Sequence, residues 1–474
     1  MGVHIPSEAT SEEPAPGEAA PSEAAPREAA PSERRNTRKH LDRGIAALAV
    51  PALGALVAEP LFLIVDSALV GHLGAEPLAG LAIASTVLQT AVGLMIFLAY
   101  STTPIVARRR GAGDLRGAVQ AGIDGLWLAF ALGAVLALGL WAAAGPLVRM
   151  FGAHAGVEDQ AYTYLAISCA GLPAMLVVFA ASGLLRGLQD TRTPLYVAGA
   201  GFTANALLNW WFIYGMGWGI GGSAWGTVVA QWGMVAVYVA VVSVHARRHG
   251  ARVAPQRDGL GHAGRSGGWL FVRTVGLRAA LMLTVVAASS HGTAVTAGYQ
   301  VVFILYSTAA FALDALAIAA QALIGDALGA RNAARAEAIL KRTVFWGLAC
   351  GALIGAALAA ASPILGYVFS SDPTVLASLP LALVVLGVSL PLHGYVFVLD
   401  GVLMGAGDAR YLAWTSLVNL AVYLPVLWLV TITVPNGGFA LFALTASFAV
   451  WFMLARACTL GLRARGGKWV RLGV

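Results

Sequence analysis

The chain is 474 residues long, 58% hydrophobic and only 11% charged, with a formal net charge of +7. A soluble domain usually carries about 25% charge, so this composition excludes a soluble enzyme and defines a polytopic membrane protein. The positive balance does not indicate nucleic acid, because the basic residues are confined to particular loops.

Residues 1–40 are low in complexity, with Glu-Ala-Ala-Pro-type repeats followed by Arg34, Arg35, Arg38 and Lys39. Such a stretch cannot bury a core, so a disordered cytoplasmic tail is expected. It is not a signal peptide, because the first apolar run begins too late and is too long. Twelve apolar segments follow, at about 44–70, 78–106, 117–145, 160–185, 193–214, 222–246, 268–289, 293–325, 336–361, 375–400, 411–433 and 438–460. Each reaches the roughly 20 residues that a spanning helix needs. One set of connecting loops holds Arg108–Arg110, Arg186, Arg192, Arg247, Arg248, Arg331, Arg335 and Arg410, whereas the opposite set holds Arg149 among several acids. By the positive-inside rule both termini are cytoplasmic, as an even helix count also requires.

The connection at 247–267 divides the segments six and six, giving an N-lobe at 41–246, a C-lobe at 268–460 and a basic cytoplasmic C-terminus at 461–474. The halves repeat: Arg110-Gly111-Ala112-Gly113-Asp114 matches Leu328-Gly329-Ala330-Arg331-Asn332. Likewise Leu184-Leu185-Arg186-Gly187-Leu188-Gln189-Asp190 matches Val402-Leu403-Met404-Gly405-Ala406-Gly407-Asp408. The expected fold is an all-α membrane protein of twelve transmembrane helices in two pseudo-symmetric six-helix lobes, with the substrate site between them.

Polar residues at membrane depth are few. Segment 1 carries Glu59 and Asp66, seven residues apart and so on one helix face at about 10 Å axial spacing. A carboxylate in hydrocarbon costs several kcal/mol unless it is paired, protonated or facing water, which makes Asp66 the leading functional candidate. Pro60 has no N–H to give and is expected to kink the helix. Asn205 and Asn209 share a face of segment 5, where interhelical glue and function are equally good readings. Gln89 reads as structural, and Asp124, near the inner end of segment 3, as an acid that pairs with a loop. The C-lobe holds Arg273, Arg278, Gln300, Asp314, Gln321, His393, Asp400 and Asn419. Arg273 is near enough to the inner surface to snorkel. Arg278 is deeper, and is expected to pair with Asp314 or Asp400. Cys169, Cys350 and Cys458 have no metal-like spacing and read as inert thiols. No phosphate loop, metal set or nucleophile elbow is present in the sequence.

Taken together, several motifs resemble the multidrug and toxic compound extrusion (MATE) family, in its DNA-damage-inducible F (DinF)-like branch, over roughly residues 41–460. They are Glu59-Pro60-Leu61, Val65-Asp66, Val70-Gly71-His72-Leu73-Gly74, Arg186-Gly187-Leu188-Gln189-Asp190-Thr191-Arg192-Thr193-Pro194, Leu313-Asp314-Ala315-Leu316 and Leu399-Asp400-Gly401. The resemblance implies a V-shaped secondary antiporter in a bacterial-type plasma membrane. It would be a monomer with no cofactor, exporting cationic or lipophilic small molecules in exchange for H⁺ or Na⁺. It implies that Asp66 is the coupling residue, with Glu59 as a second acid. Many relatives carry Asp where this chain has Asn209, and His where it has Tyr299. Na⁺ would find hard oxygen ligands in Asp66, Asn205 and Asn209. The alternative is a flippase for lipids or lipid-linked precursors, which would favour a large basic cavity.

Overall fold

In hydrocarbon a backbone amide has no partner except its own helix, and every apolar segment is accordingly helical. The computed structural model describes residues 31–435 and 437–473, with side chains from Arg38 onward other than those of Glu59, Phe62, Asp258 and His262. The N-lobe comprises α1 (Pro31–Gly71), α2 (Ala75–Met95), α3 (Phe97–Gly111), α4 (Leu115–Arg149), α5 (Ala155–Ser168), α6 (Leu172–Gly187), α7 (Arg192–Trp210) and α8 (Gly219–His249). The C-lobe comprises α9 (Arg257–Ser290), α10 (Thr293–Gly329), α11 (Ala333–Phe369), α12 (Pro373–Gly405), α13 (Ala409–Thr433), α14 (Gly438–Ala446) and α15 (Met453–Arg465).

Fifteen helices make twelve spans because three segments are interrupted. Segment 2 breaks at Ile96 between α2 and α3, segment 4 tightens into a 3₁₀ turn at Cys169–Gly171, and segment 12 loosens into a π turn at Ser447–Phe452. Among the described residues, eleven spans are long and apolar enough to cross a membrane. The twelfth is α7 with its π turn Trp211–Gly215, whose two asparagines lower its hydropathy.

Two expectations about boundaries need correction. α1 begins at Pro31, inside the stretch expected to be disordered through residue 40. Its Glu, Arg and Lys residues are good helix formers, and proline is favoured at a helix start. Past that start, Asp42 ties α1 to Arg342 and Trp346 of α11, at 2.5 and 2.8 Å. The connection between lobes is also shorter than 247–267, because α8 runs to His249 and α9 starts at Arg257. The linker is lashed to α4. Gln120 accepts from the Arg252 amide at 2.9 Å, and Asp124 accepts from the Gln256 amide at 2.9 Å, capping α9. Asp124 is thus the loop-pairing acid that its position suggested.

The repeat has a structural cause. Each matched motif is a tight turn joining two helices, and each needs one residue in the left-handed region. Gly113 (φ 82°) is matched by Arg331 (φ 56°), and Gln189 (φ 66°) by Gly407 (φ 71°). The acid or amide that follows caps the next helix, with Asp114 accepting from Gly117 N and Asn332 from Arg335 N. So the repeated residues are the ones the turn geometry demands.

The matched glycines also meet. Gly111 at the end of α3 packs on the Asp326 carbonyl of α10, while Gly329 at the end of α10 packs on the Arg108 carbonyl of α3. Arg110 pairs with Asp326 at 2.6 Å, and Arg108 donates to the carbonyls of Ala406 and Arg471 at 2.9 and 3.0 Å. This closes the bundle between the lobes at the end where α3 and α10 finish. Gly111→Val would drive a side chain into a backbone carbonyl, and such overpacking costs about 1–3 kcal/mol. The variant is therefore expected to loosen this end, so that a cysteine at the buried Ala327, in a background lacking the three native cysteines, reacts faster with an impermeant maleimide. An unchanged rate would mean that this contact does not hold the end shut.

Candidate functional site

Four N-lobe helices converge on Asp66. Its carboxylate, 3% exposed, accepts hydrogen bonds from three of them. Ser223 Oγ of α8 donates to Oδ1 at 2.6 Å, Asn209 Nδ2 of α7 donates to Oδ1 at 2.7 Å, and Tyr164 Oη of α5 donates to Oδ2 at 3.2 Å. All three donors are neutral. Among the described residues no arginine, lysine or histidine pairs with this acid.

The network extends along α7. Asn209 Nδ2 lies 3.1 Å from Asn205 Oδ1, and Asn205 donates to Thr227 of α8 at 2.9 Å. The two asparagines stack because they are one turn apart on the face toward α8. They are pressed there because Gly226 lets α8 approach; a methyl group at Gly226 would collide with the Asn209 amide. Asn209 Oδ1 is buried and has no hydrogen-bond partner. Beside Asn205 and Thr227 lies a cavity of about 70 Å³, also lined by Gln89 and Gln231. That is room for about two waters, each taking about 30 Å³. A larger apolar cleft of about 330 Å³, lined by Trp127, Phe130 and Trp232, lies between α4 and α8 and shares no residue with this network.

The remaining acids have different partners. Asp400 of α12 is buried between Arg273 of α9 and Arg456 of α15, with Arg273 Nε at 3.2 Å and Arg456 Nη2 at 2.5 Å. Asp314 of α10 accepts from Tyr100 Oη of α3 at 2.7 Å, a bond between lobes. Gln321 supports it by donating to the Tyr100 carbonyl at 2.7 Å.

The expected pairing of Arg278 with Asp314 or Asp400 is wrong. Arg273 takes that place, and so does not snorkel to the surface. Five residues separate the two arginines, a rotation of about 140° around the helix, so only one can face α12. Arg278 is exposed. Gln300 is exposed on α10 and belongs to neither cluster. The side chain of Glu59 lies outside the described residues. Tyr164, Ser223, Thr227 and Arg456 were not anticipated. Arg456 had a signal, a charge well inside an apolar segment; the hydroxyls had none.

Two repeated six-helix lobes, closed at one end and with acids buried inside both, define a membrane transporter. The MatE family model matches residues 51–211 and 271–429, one stretch in each lobe. The chain belongs to the MatE family, whose members are transporters and not enzymes. It is similar to the protein DETOXIFICATION 44, chloroplastic, of Arabidopsis thaliana, with 28% identity over 79% of this chain and 74% of that protein. It is also similar to DNA damage-inducible protein F of Escherichia coli, with 30% identity over 37% of this chain and 38% of that one. A crystal structure of a mutant of the Vibrio cholerae MATE transporter VcmN has the same fold, with a TM-score of 0.83, 22% identity, and coverage of 92% of this chain and 99% of that one.

Proposed function

We propose that this transporter is a secondary active exporter of lipophilic and cationic small molecules, driven by protons that enter through Asp66. The observation that supports this reading is the partner set of Asp66: a deeply buried carboxylate held by neutral donors alone. A carboxylate locked by arginine, such as Asp400, cannot take up a proton without leaving a cation unpaired. Asp66 has no such restraint. The plant relative is named for detoxification, which supports export of foreign compounds as the task.

In the charged state Asp66 accepts bonds from three other helices. Protonation turns one carboxyl oxygen from acceptor to donor, so either Ser223 or Tyr164 must give up its bond or reverse its hydroxyl. Each hydrogen bond to a charged group contributes about 1.5–3 kcal/mol. One charge crossing 100 mV supplies about 2.3 kcal/mol, which is enough to exchange one such bond for another packing of α1. A cationic substrate competes with the proton for the same carboxylate, which is the minimal exchange scheme. Positive-inside bias places the arginine-rich end, with both termini, in the cytoplasm.

The test is transport in proteoliposomes with H⁺ and Na⁺ gradients imposed separately. Uphill movement of a rhodamine dye is expected with the proton gradient alone. Movement under a Na⁺ gradient alone would replace the proton by Na⁺ on Asp66, Asn205 Oδ1 and Asn209 Oδ1. No uphill movement under either gradient would overturn the proposal.

A further inference from the structure

Arg278 is a guanidinium inside a membrane-spanning helix with no acidic partner among the described residues, whereas Arg273 and Arg456 share Asp400. It stands twelve residues before Ser290 at the end of α9, about 18 Å along the axis and beyond the reach of its own side chain to that surface. An arginine left in hydrocarbon at this depth is expensive, so the group must meet water or an anion.

Its position selects between surroundings. Arg278 Nη2 reaches across the lobe seam to α2, where a methyl group placed on Gly93 would lie 2.8 Å from it. The glycine leaves the guanidinium its space. One turn earlier on the same face of α2 is Gln89, about 6 Å away along the axis. Gln89 lines the small cavity that Asn205 and Thr227 also line. The cation therefore stands against the face of α2 that carries Gln89, the residue that also borders the cavity beside Asn205 and Thr227.

We infer that Arg278 is a binding site for an oxyanion, a carboxylate or a phosphate, and that the cargo carries such a group together with its cationic end. The planar guanidinium suits bidentate capture of either oxyanion, and no carboxylate among the described residues occupies it. Arg278 would hold the anionic end at the lobe seam while the opposite end lies toward Asp66. This deepens the proposed function and rests on the chain carrying a small-molecule cargo.

The test is equilibrium binding, without any ion gradient, to the full chain in phosphatidylcholine vesicles. The probes are a zwitterionic rhodamine with a free carboxylate and its methyl ester, which lacks the anion. The protein is expected to bind the acid about tenfold more tightly than the ester, the size of one charge-assisted bond. Arg278→Gln should abolish the difference, and Arg278→Lys should keep part of it. Gly93→Leu, which retains the arginine but crowds it, should also abolish it. Equal binding of the two dyes by the unsubstituted protein, binding of neither, or a preference that survives both Arg278→Gln and Gly93→Leu would overturn the inference. Adding phosphatidylglycerol assigns the anion: competition in the unsubstituted protein alone identifies a lipid headgroup, and its absence identifies the cargo. Because no gradient is applied, a failure of ion-driven transport would contradict the proposed coupling and leave this result standing.

Discussion

Asp66→Asn is expected to reduce ion-driven dye export to background, a loss of at least about tenfold, while the melting temperature in detergent moves by a few degrees only. The substitution preserves shape and keeps one oxygen to accept from Ser223 or Asn209, so the packing of α1 against α5, α7 and α8 survives. What it removes is the capacity to take and release a proton. The charge-assisted character of the bonds from Ser223 and Asn209 is lost as well, but that change is smaller than the loss from leaving a buried donor unpaired. Export at the unsubstituted rate would remove Asp66 from the mechanism. A collapse in thermal stability would recast it as a structural acid.

The second large effect is expected at Asp400. Asp400→Leu leaves Arg273 and Arg456 facing one another without an anion, and breaking a buried pair in this way costs about 3–5 kcal/mol. Expression or melting temperature should fall sharply. Asp400→Leu combined with Arg456→Leu should recover much of the loss, because it removes the more deeply buried of the two arginines, whose side chain is 7% exposed against 11% for Arg273. Arg278→Leu alone should cost little, since it breaks no ion pair among the described residues. Thermal melting of the four proteins separates these cases. If Asp400→Leu melts with the unsubstituted protein, the triad does not hold the C-lobe together.

This ordering reverses what the sequence suggests, and the reason lies in helix rotation. Hydropathy locates Arg273 and Arg278 in one segment, and depth alone makes Arg278 the residue in need of a partner. Which face of α9 meets α12 is fixed by packing along the whole helix, and no local spacing encodes it. Arg456, in the last segment, is 56 residues from Asp400, so its role depends on the C-lobe closing on itself. Features set by local chemistry were readable. The twelve spans follow from the apolar runs, and the two lobes from turn motifs that recur because left-handed residues and caps are required at the same places. Asn205 and Asn209 are linked by helical spacing alone, and Asp66 stands out because a charge in hydrocarbon always needs a reason.

The hydroxyls of the site were hidden for a different reason. Serine and threonine in membrane helices usually satisfy themselves on a carbonyl three or four residues back, as Thr86, Thr284 and Ser378 do here. Ser223 instead points at Asp66, and nothing in the letters around it marks the difference. The breaks inside segments 2 and 12 were equally silent, because each occurs in a run that stays apolar on both sides, whereas the break in segment 4 is marked by Gly171 and by Pro173 in the first turn of α6.

The central claim, that Asp66 exchanges a proton for substrate, is tested most directly by proton release on binding. Purified protein in weakly buffered detergent solution is mixed with a cationic rhodamine, and the pH change is recorded for the unsubstituted chain and for Asp66→Asn. Linkage between the two ligands of one carboxylate predicts about one proton released per dye bound in the unsubstituted protein and none in the variant. Equal release from both, or binding without release in the unsubstituted protein at a pH where it exports dye, would contradict the account.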